Sequence, residues 1–217
     1  MNTNVAQPDV GSTELLRVPK QERSRIKFNA ILDAALSLIH QKGYEQVSVR
    51  EIARESGQPI ASVYQYFPNK ASIVRQLWER YTGALSAFLS EEFLLMIADP
   101  GAETLQRVTS DIVDHMVAYH REHPEFLAIW RCVDSSPELR ALNRQDTLDV
   151  AGAITEVVCQ VDPEADSELV FHRAIVACET ANHTVQLAQE LPKELQAGVI
   201  ARLKTGLISM FDHLAEK

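Results

Sequence analysis

Helix breakers are scarce in this chain. Glycine and proline together supply 17 of 217 residues, about 8% where about 12% is usual, which excludes a turn-rich sandwich or barrel. Cysteine is scarce as well. Cys132, Cys159 and Cys178 do not make a disulfide framework and suit a reducing cytoplasm. Long apolar runs are missing: the longest, Phe93 to Ala98, falls far short of the roughly 20 residues that span a bilayer. No basic stretch followed by an apolar one opens the chain, so a secretory leader is not expected either. What is plentiful is core-forming material. Leu, Ile, Val and Phe number 61, about 28% of the chain, above the roughly 20% below which disorder sets in. The expectation is a cytoplasmic globular protein.

The net charge of −9 would discourage a nucleic-acid partner if it were evenly spread. It is not. Residues 1–80 hold 11 Lys/Arg and 8 Asp/Glu, while residues 81–217 hold 10 and 22. A balance of +3 against −12 describes an acidic body joined to a smaller basic-leaning module. Arg17, Lys20, Arg23, Arg25 and Lys27 cluster ahead of that module, with Glu22 the only acid among them.

Periodicity along the chain is helical throughout. Residues 1–20 are polar, carry Pro8, Gly11 and Pro19, and read as a flexible tail. Ser24 is placed to cap a first helix with the apolar stripe Phe28, Ile31, Leu32, Ala35, Leu38 and Ile39, which Lys42-Gly43 stops. Ser48 and Glu51 have capping-box spacing for a second helix that ends at Gly57. Pro59 suits the first turn of a third, running from Ile60 to Phe67. Asn69 caps a long fourth helix. Punctuation at Asp99-Pro100-Gly101, Pro124, Ser135-Ser136-Pro137, Asp162-Pro163 and Leu191-Pro192 predicts further helices over 102–122, 125–134, 138–160, 165–190 and 193–215. The fold class is all-α with about nine helices: an N-terminal three-helix domain over 21–68 and a helical bundle over 69–217.

Helices two and three, joined by a short turn at Gly57, have helix-turn-helix layout. Ala53 gives close approach, and Val63 closes the small core. The run Val63-Tyr64-Gln65-Tyr66-Phe67-Pro68-Asn69-Lys70 resembles the recognition-helix signature of the tetracycline-repressor (TetR) family. It comes with Ile31-x3-Ala35, Gly43-Tyr44, Val47-Ser48-Val49-Arg50-Glu51-Ile52-Ala53 and Ser56-Gly57. The resemblance covers residues 24–78. Pro59 stands where many members have Ser, and Ala61 where many have Gly.

That resemblance implies a transcriptional regulator, a repressor, that binds double-stranded operator DNA as a homodimer and is released by a small effector. It places Ser48, Arg50, Pro59, Ile60, Ala61, Ser62, Tyr64, Gln65, Tyr66 and Lys70 near DNA. Gln65 can bond an adenine edge, and Ile60 and Ala61 can touch a thymine methyl. Tyr64 and Tyr66, two apart on a short helix, cannot both face the core, and the resemblance gives Tyr64 the phosphate. Lys70 lies in the first turn of helix four, where a cation opposes the helix dipole unless a phosphate docks there.

The bundle supplies candidate walls for an apolar effector in Trp78, Tyr81, Phe88, Met116, Tyr119, Phe126, Trp130 and Phe171, with His115 and Asn182 able to orient a polar group. Ala174, Ala177, Ala181, Thr184 and Ala188 form a small-residue stripe on the eighth helix. Leu195, Val199, Leu203, Leu207, Met210, Phe211 and Leu214 form a wider apolar face on the ninth. These two faces are the expected dimer interface.

Other chemistries find no footing. A glycine-rich phosphate loop, a Gly-x-Ser-x-Gly elbow and a His-Glu-x-x-His pair are all missing. His115, His120 and His123 are spaced five and three apart, so they do not share a helical face for a metal. No cofactor is expected. An all-helical enzyme would need a complete catalytic set, and a plain interaction module would leave the residues around 48–70 without a purpose.

Overall fold

Nine α-helices and one short 3-10 turn carry nearly all of the described residues, and no strand occurs among them. The structure is a computed structural model that describes residues 15, 19–135, 137, 139–212 and 214. The expected tail therefore lies almost wholly outside the described residues. The chain forms two compact units, one of residues 1–81 with 125–142 and one of 82–124 with 143–217. This differs from the break expected after residue 68. The first unit extends into the fourth helix and recruits a later one.

In the first unit, α1 (Glu22–Lys42) buries the predicted stripe, with Ile31 and Ala35 wholly enclosed. Its N-cap is Gln21 rather than Ser24. Ser24 sits in the first turn, where its hydroxyl donates to the Gln21 carbonyl at 2.6 Å and accepts from the Gln21 N–H at 3.2 Å. Gly43 ends α1 with φ +80°, a conformation that favours glycine, and the 3-10 turn Tyr44–Gln46 follows. The next two helices are α2 (Val49–Glu55) and α3 (Ile60–Tyr64). Between them Gly57 adopts φ +65°. Pro59 is the N-cap of α3, one residue earlier than expected. The helical bonds of α3 fade over Gln65 to Phe67, where Tyr66 and Phe67 both donate to the Val63 carbonyl. Pro68, which lacks an N–H, closes the corner.

Asn69 caps α4 (Lys70–Ala98) as predicted, its Oδ1 accepting from the Ser72 N–H at 2.8 Å. Residues 70–81 of α4 belong to the first unit and the rest to the second. Arg80 ties α4 to α1 through Asp33 at 2.7 Å and Asn29 at 3.3 Å. In the same unit α6 (Phe126–Ser135) lies on α1 and on the 3-10 turn. Its apolar side meets α4 in a closed aromatic cluster, with Trp78–Trp130 at 4.9 Å and Tyr81–Phe126 at 5.4 Å.

The second unit holds α5 (Ala102–Glu122), α8 (Ser167–Glu190), α9 (Lys193–Met210) and most of α7 (Arg140–Val161). Asp166 caps α8 by accepting from the Glu168 and Leu169 N–H groups. Helices α5, α8 and α9 pack on one another around Val113, Val170, Ala174 and Val185. Helix α9 ends at Met210 instead of 215, yet Phe211 and Leu214 stay buried because the chain continues in a tight turn, Leu214 donating to the Phe211 carbonyl.

Candidate nucleic-acid interface

The interface is built on a fixed platform. Ser48 caps α2: its Oγ accepts from the Glu51 N–H at 3.2 Å, and the Glu51 carboxylate accepts from the Ser48 N–H at 2.9 Å. The Ser48 N–H and the Ser48 hydroxyl, which also donates to the carboxylate at 2.9 Å, together with Lys42 at 3.3 Å hold the Glu51 carboxyl down to about 2. The reciprocal cap satisfies two otherwise orphan amides and sets where the turn into α3 begins. Ile52, Val63 and Phe67 are fully buried beneath it. Enclosing three such side chains contributes on the order of 2 kcal/mol each.

On that platform, Ser48, Arg50, Pro59, Ile60, Ala61, Tyr64 and Gln65 are exposed, and Ser62 is half-buried. The two tyrosines divide as the spacing required. Tyr64 is 46% exposed and Tyr66 only 6%. The Tyr66 ring stands edge-on to Phe28 at 5.6 Å, so it belongs to the core of the corner and is absent from the exposed face that carries the others.

Lys70 is held more tightly than its sequence position suggests. Its ammonium donates to the Tyr44 carbonyl at 2.6 Å and lies 3.9 Å from the centre of the Tyr44 ring. An ammonium has three donors, so two remain for an anion while the carbonyl and ring fix its position. Tyr44 is the site residue that spacing alone did not single out. Its only sequence signal was its place directly after Gly43, where the turn returns the chain toward the start of α4.

The expected effector residues fall into both units. Trp78, Tyr81, Phe126 and Trp130 are buried in the aromatic cluster of the first unit. Met116 is buried in the core of the second. Phe88, His115, Tyr119, Phe171 and Asn182 are half-buried in the second unit, where Phe88 and His115 stack nearly parallel at 3.9 Å. Among the described residues no group of His, Cys, Asp or Glu could hold a metal ion. Burial pushes the Cys132 and Cys178 thiols up to about 11 and about 12, which leaves them poor nucleophiles.

Most of the expected dimer stripe is enclosed by the chain itself. Ala174, Ala177, Ala181, Ala188, Leu203, Leu207 and Phe211 are all buried within the single chain. Small residues there let α5, α8 and α9 approach one another inside the unit. Uncovered apolar side chains of this region include Leu195, on the expected face of α9, together with Val176 and Leu187, each 53% exposed. An apolar groove of about 520 Å³ runs between α8 and α9, and Thr184, Leu195, Val199, Leu203, Leu207 and Met210 of the expected faces line it.

Comparison with known proteins agrees with this geometry. Residues 31–77 match the family described as bacterial regulatory proteins, tetR family, and residues 103–214 match the tetracyclin repressor-like C-terminal domain. The fatty acid metabolism regulator protein of Bacillus subtilis is 32% identical over 71 residues, 33% of this chain and 37% of that one. The transcriptional repressor KstR of Rhodococcus jostii is 32% identical over 73 residues, 34% of this chain and 32% of that one. The matched stretch thus spans about a third of the length of these relatives. Among solved structures, a TetR-family regulator from Streptomyces coelicolor superposes with a TM-score of 0.61 at 22% identity, covering 87% of this chain and 99% of that one. A complex of SmeT with triclosan does so with a TM-score of 0.65 at 15% identity, covering 86% and 90%.

Proposed function

The chain belongs to the tetR family of bacterial regulatory proteins, and from that premise we propose that it represses transcription as a homodimer on a palindromic operator. One observation carries the reading: the exposed outer face of α3, bordered by Tyr64 and by an ammonium at Lys70 that Tyr44 holds in place. A five-residue helix on a rigid cap suits entry into the major groove. Tyr64 and Lys70 then bind phosphates while Ile60, Ala61 and Gln65 meet base edges. Ser48 and Arg50 border the same face and add backbone contacts. A small apolar effector, taken up by the second unit, lowers operator affinity. The neighbour solved with triclosan supports an effector of this size.

Selection of bound duplexes from a random pool tests the reading. The expected product is a palindrome whose half-sites are about one helical turn, ~34–36 Å, or somewhat more apart. Lys70→Ala then weakens every sequence alike and lowers the salt slope by about one per subunit, whereas Gln65→Ala changes base preference. If the purified protein enriches no sequence at moderate salt without added ligand, the proposal fails.

A further inference from the structure

We propose that the basic stretch from Lys20 to Lys27 is a second DNA contact, a clamp on the phosphate backbone that flanks each half-site beyond the reach of α3. The inference rests on the operator-binding reading above and extends it to residues outside the matched helix-turn-helix segment, which begins at residue 31.

Four cations occupy this stretch. Lys20, Arg23 and Arg25 are exposed, and Lys27 is half-buried. None of them pairs with an acid among the described residues, although other cations of the same unit do: Lys42 with Glu51, Arg75 with Glu79 and Arg80 with Asp33. Their placement is locally unfavourable. Arg23, Arg25 and Lys27 fall in the first two turns of α1, where the helix dipole repels positive charge. Arg23 and Lys27 are also four apart, so like charges face each other on one flank. Each cost is small, and a docked polyanion reverses all of them.

The stretch also begins in the right place. Phe28 packs on Tyr66 at 5.6 Å and on Phe67 at 4.9 Å. The start of α1 therefore lies against the corner between α3 and α4, the corner that carries Tyr64 and Lys70. Phosphates gripped there continue along the strand past Lys27 toward Lys20. At ~1.5 Å per helical residue, the charged stretch covers about 10 Å, close to three base-pair steps of ~3.4 Å. The rest of the chain is less suited to a polyanion on average, since residues 81–217 carry a balance of −12.

The test uses the full chain and the duplex recovered by selection, prepared with four flanking base pairs on each side and without them. The variant combines Lys20→Ala, Arg23→Ala, Arg25→Ala and Lys27→Ala. On the longer duplex it is expected to bind at least tenfold more weakly than the wild type, with a salt slope lower by about three per subunit. Removing the flanks should weaken the wild type and leave the variant almost unchanged, a pattern that a general folding defect does not produce. Arg23→Lys with Arg25→Lys keeps the charge and should restore both affinity and slope. Equal affinity and slope for variant and wild type overturn the clamp. So does a changed sedimentation profile with unchanged DNA affinity, which would mean that the cations meet the acidic body of another copy. A wild type that binds no duplex removes the operator reading and the clamp together.

Discussion

His120 shows how one buried side chain ties this fold to pH. It is 2% exposed on α5, and burial pushes its pKa down to about 4 from an ordinary 6.5. Above pH 6.5 the imidazole is neutral whether the chain is folded or not, so it costs nothing. Between 6.5 and 4 the unfolded chain takes up a proton that the folded one refuses, and stability falls as the medium is acidified. The loss amounts to roughly 2 kcal/mol between pH 7.5 and pH 5. Glu92, buried on α4, acts in the opposite sense. Burial first, then Asp111, raises its pKa against a smaller lowering by Arg107. Its ionisation therefore opposes folding as pH rises past 4.5. Urea unfolding at pH 7.5 and pH 5 separates the two. His120→Gln should narrow the gap between the two midpoints, and Glu92→Gln should stabilise at pH 7.5 more than at pH 5. A His120→Gln protein with the full wild-type gap would show that acid sensitivity arises elsewhere.

At the scale of elements, what was legible was whatever chemistry is local. Ser48, Asn69 and Asp166 each satisfy orphan amides within three residues, so the starts of α2, α4 and α8 follow from the sequence to within a residue or two. The 3-10 turn Tyr44–Gln46 escaped because three polar or aromatic residues after a glycine have no periodicity to read. The end of α9 escaped for the opposite reason: its apolar pattern continues through Phe211 and Leu214 after the helical bonds have stopped. The exposed face of α3 was legible from two tyrosines at a spacing of two. The anchoring of Lys70 beside that face by Tyr44, which depends on a contact across 26 residues, was not. Periodicity on α8 identified a face of small residues but could not say what covers it, and the cover is the unit's own core. The proposed dimer would then use the exposed apolar side chains Val176, Leu187 and Leu195 and the α8–α9 groove, which Thr184, Leu203 and Leu207 also line. Val176→Arg with Leu187→Arg should therefore give a folded monomer that loses the operator, because side chains already in water can become charged without opening the core. Ala181→Arg should unfold the second unit, a charge buried unpaired costing several kcal/mol. Sedimentation and thermal melting distinguish the two results. A double variant that remains dimeric refutes this placement.

For the whole molecule, the proposed effector response requires that a ligand taken up by one unit be felt by the other. Helix α4 is the longer of two helices divided between the units, its residues 70–81 in one and 82–98 in the other, while α7 leaves only its first turn in the first unit. Each part is held by its own contacts. Arg80 anchors the first part to α1, and Phe88 stacks on His115 in the second. The Trp78, Tyr81 and Trp130 rings are buried in the first unit and read as packing that keeps Lys70 in register, whereas Phe88, His115 and Tyr119 are only half-buried and are the better candidates to meet an effector. In the proposed response, a ligand inserting beside Phe88 would displace α4, which also carries Lys70. The two binding events are then linked by one coupling free energy, typically about 1–3 kcal/mol, or roughly 5–150-fold in affinity. Linkage is reciprocal: operator DNA must weaken effector binding by the same factor. Titration calorimetry of an effector found by screening, with and without saturating operator, should give affinities that differ by that ratio. Phe88→Ala should weaken effector binding while leaving the affinity of the free protein for DNA within a few-fold. Equal effector affinities with and without operator would show that α4 does not transmit the signal.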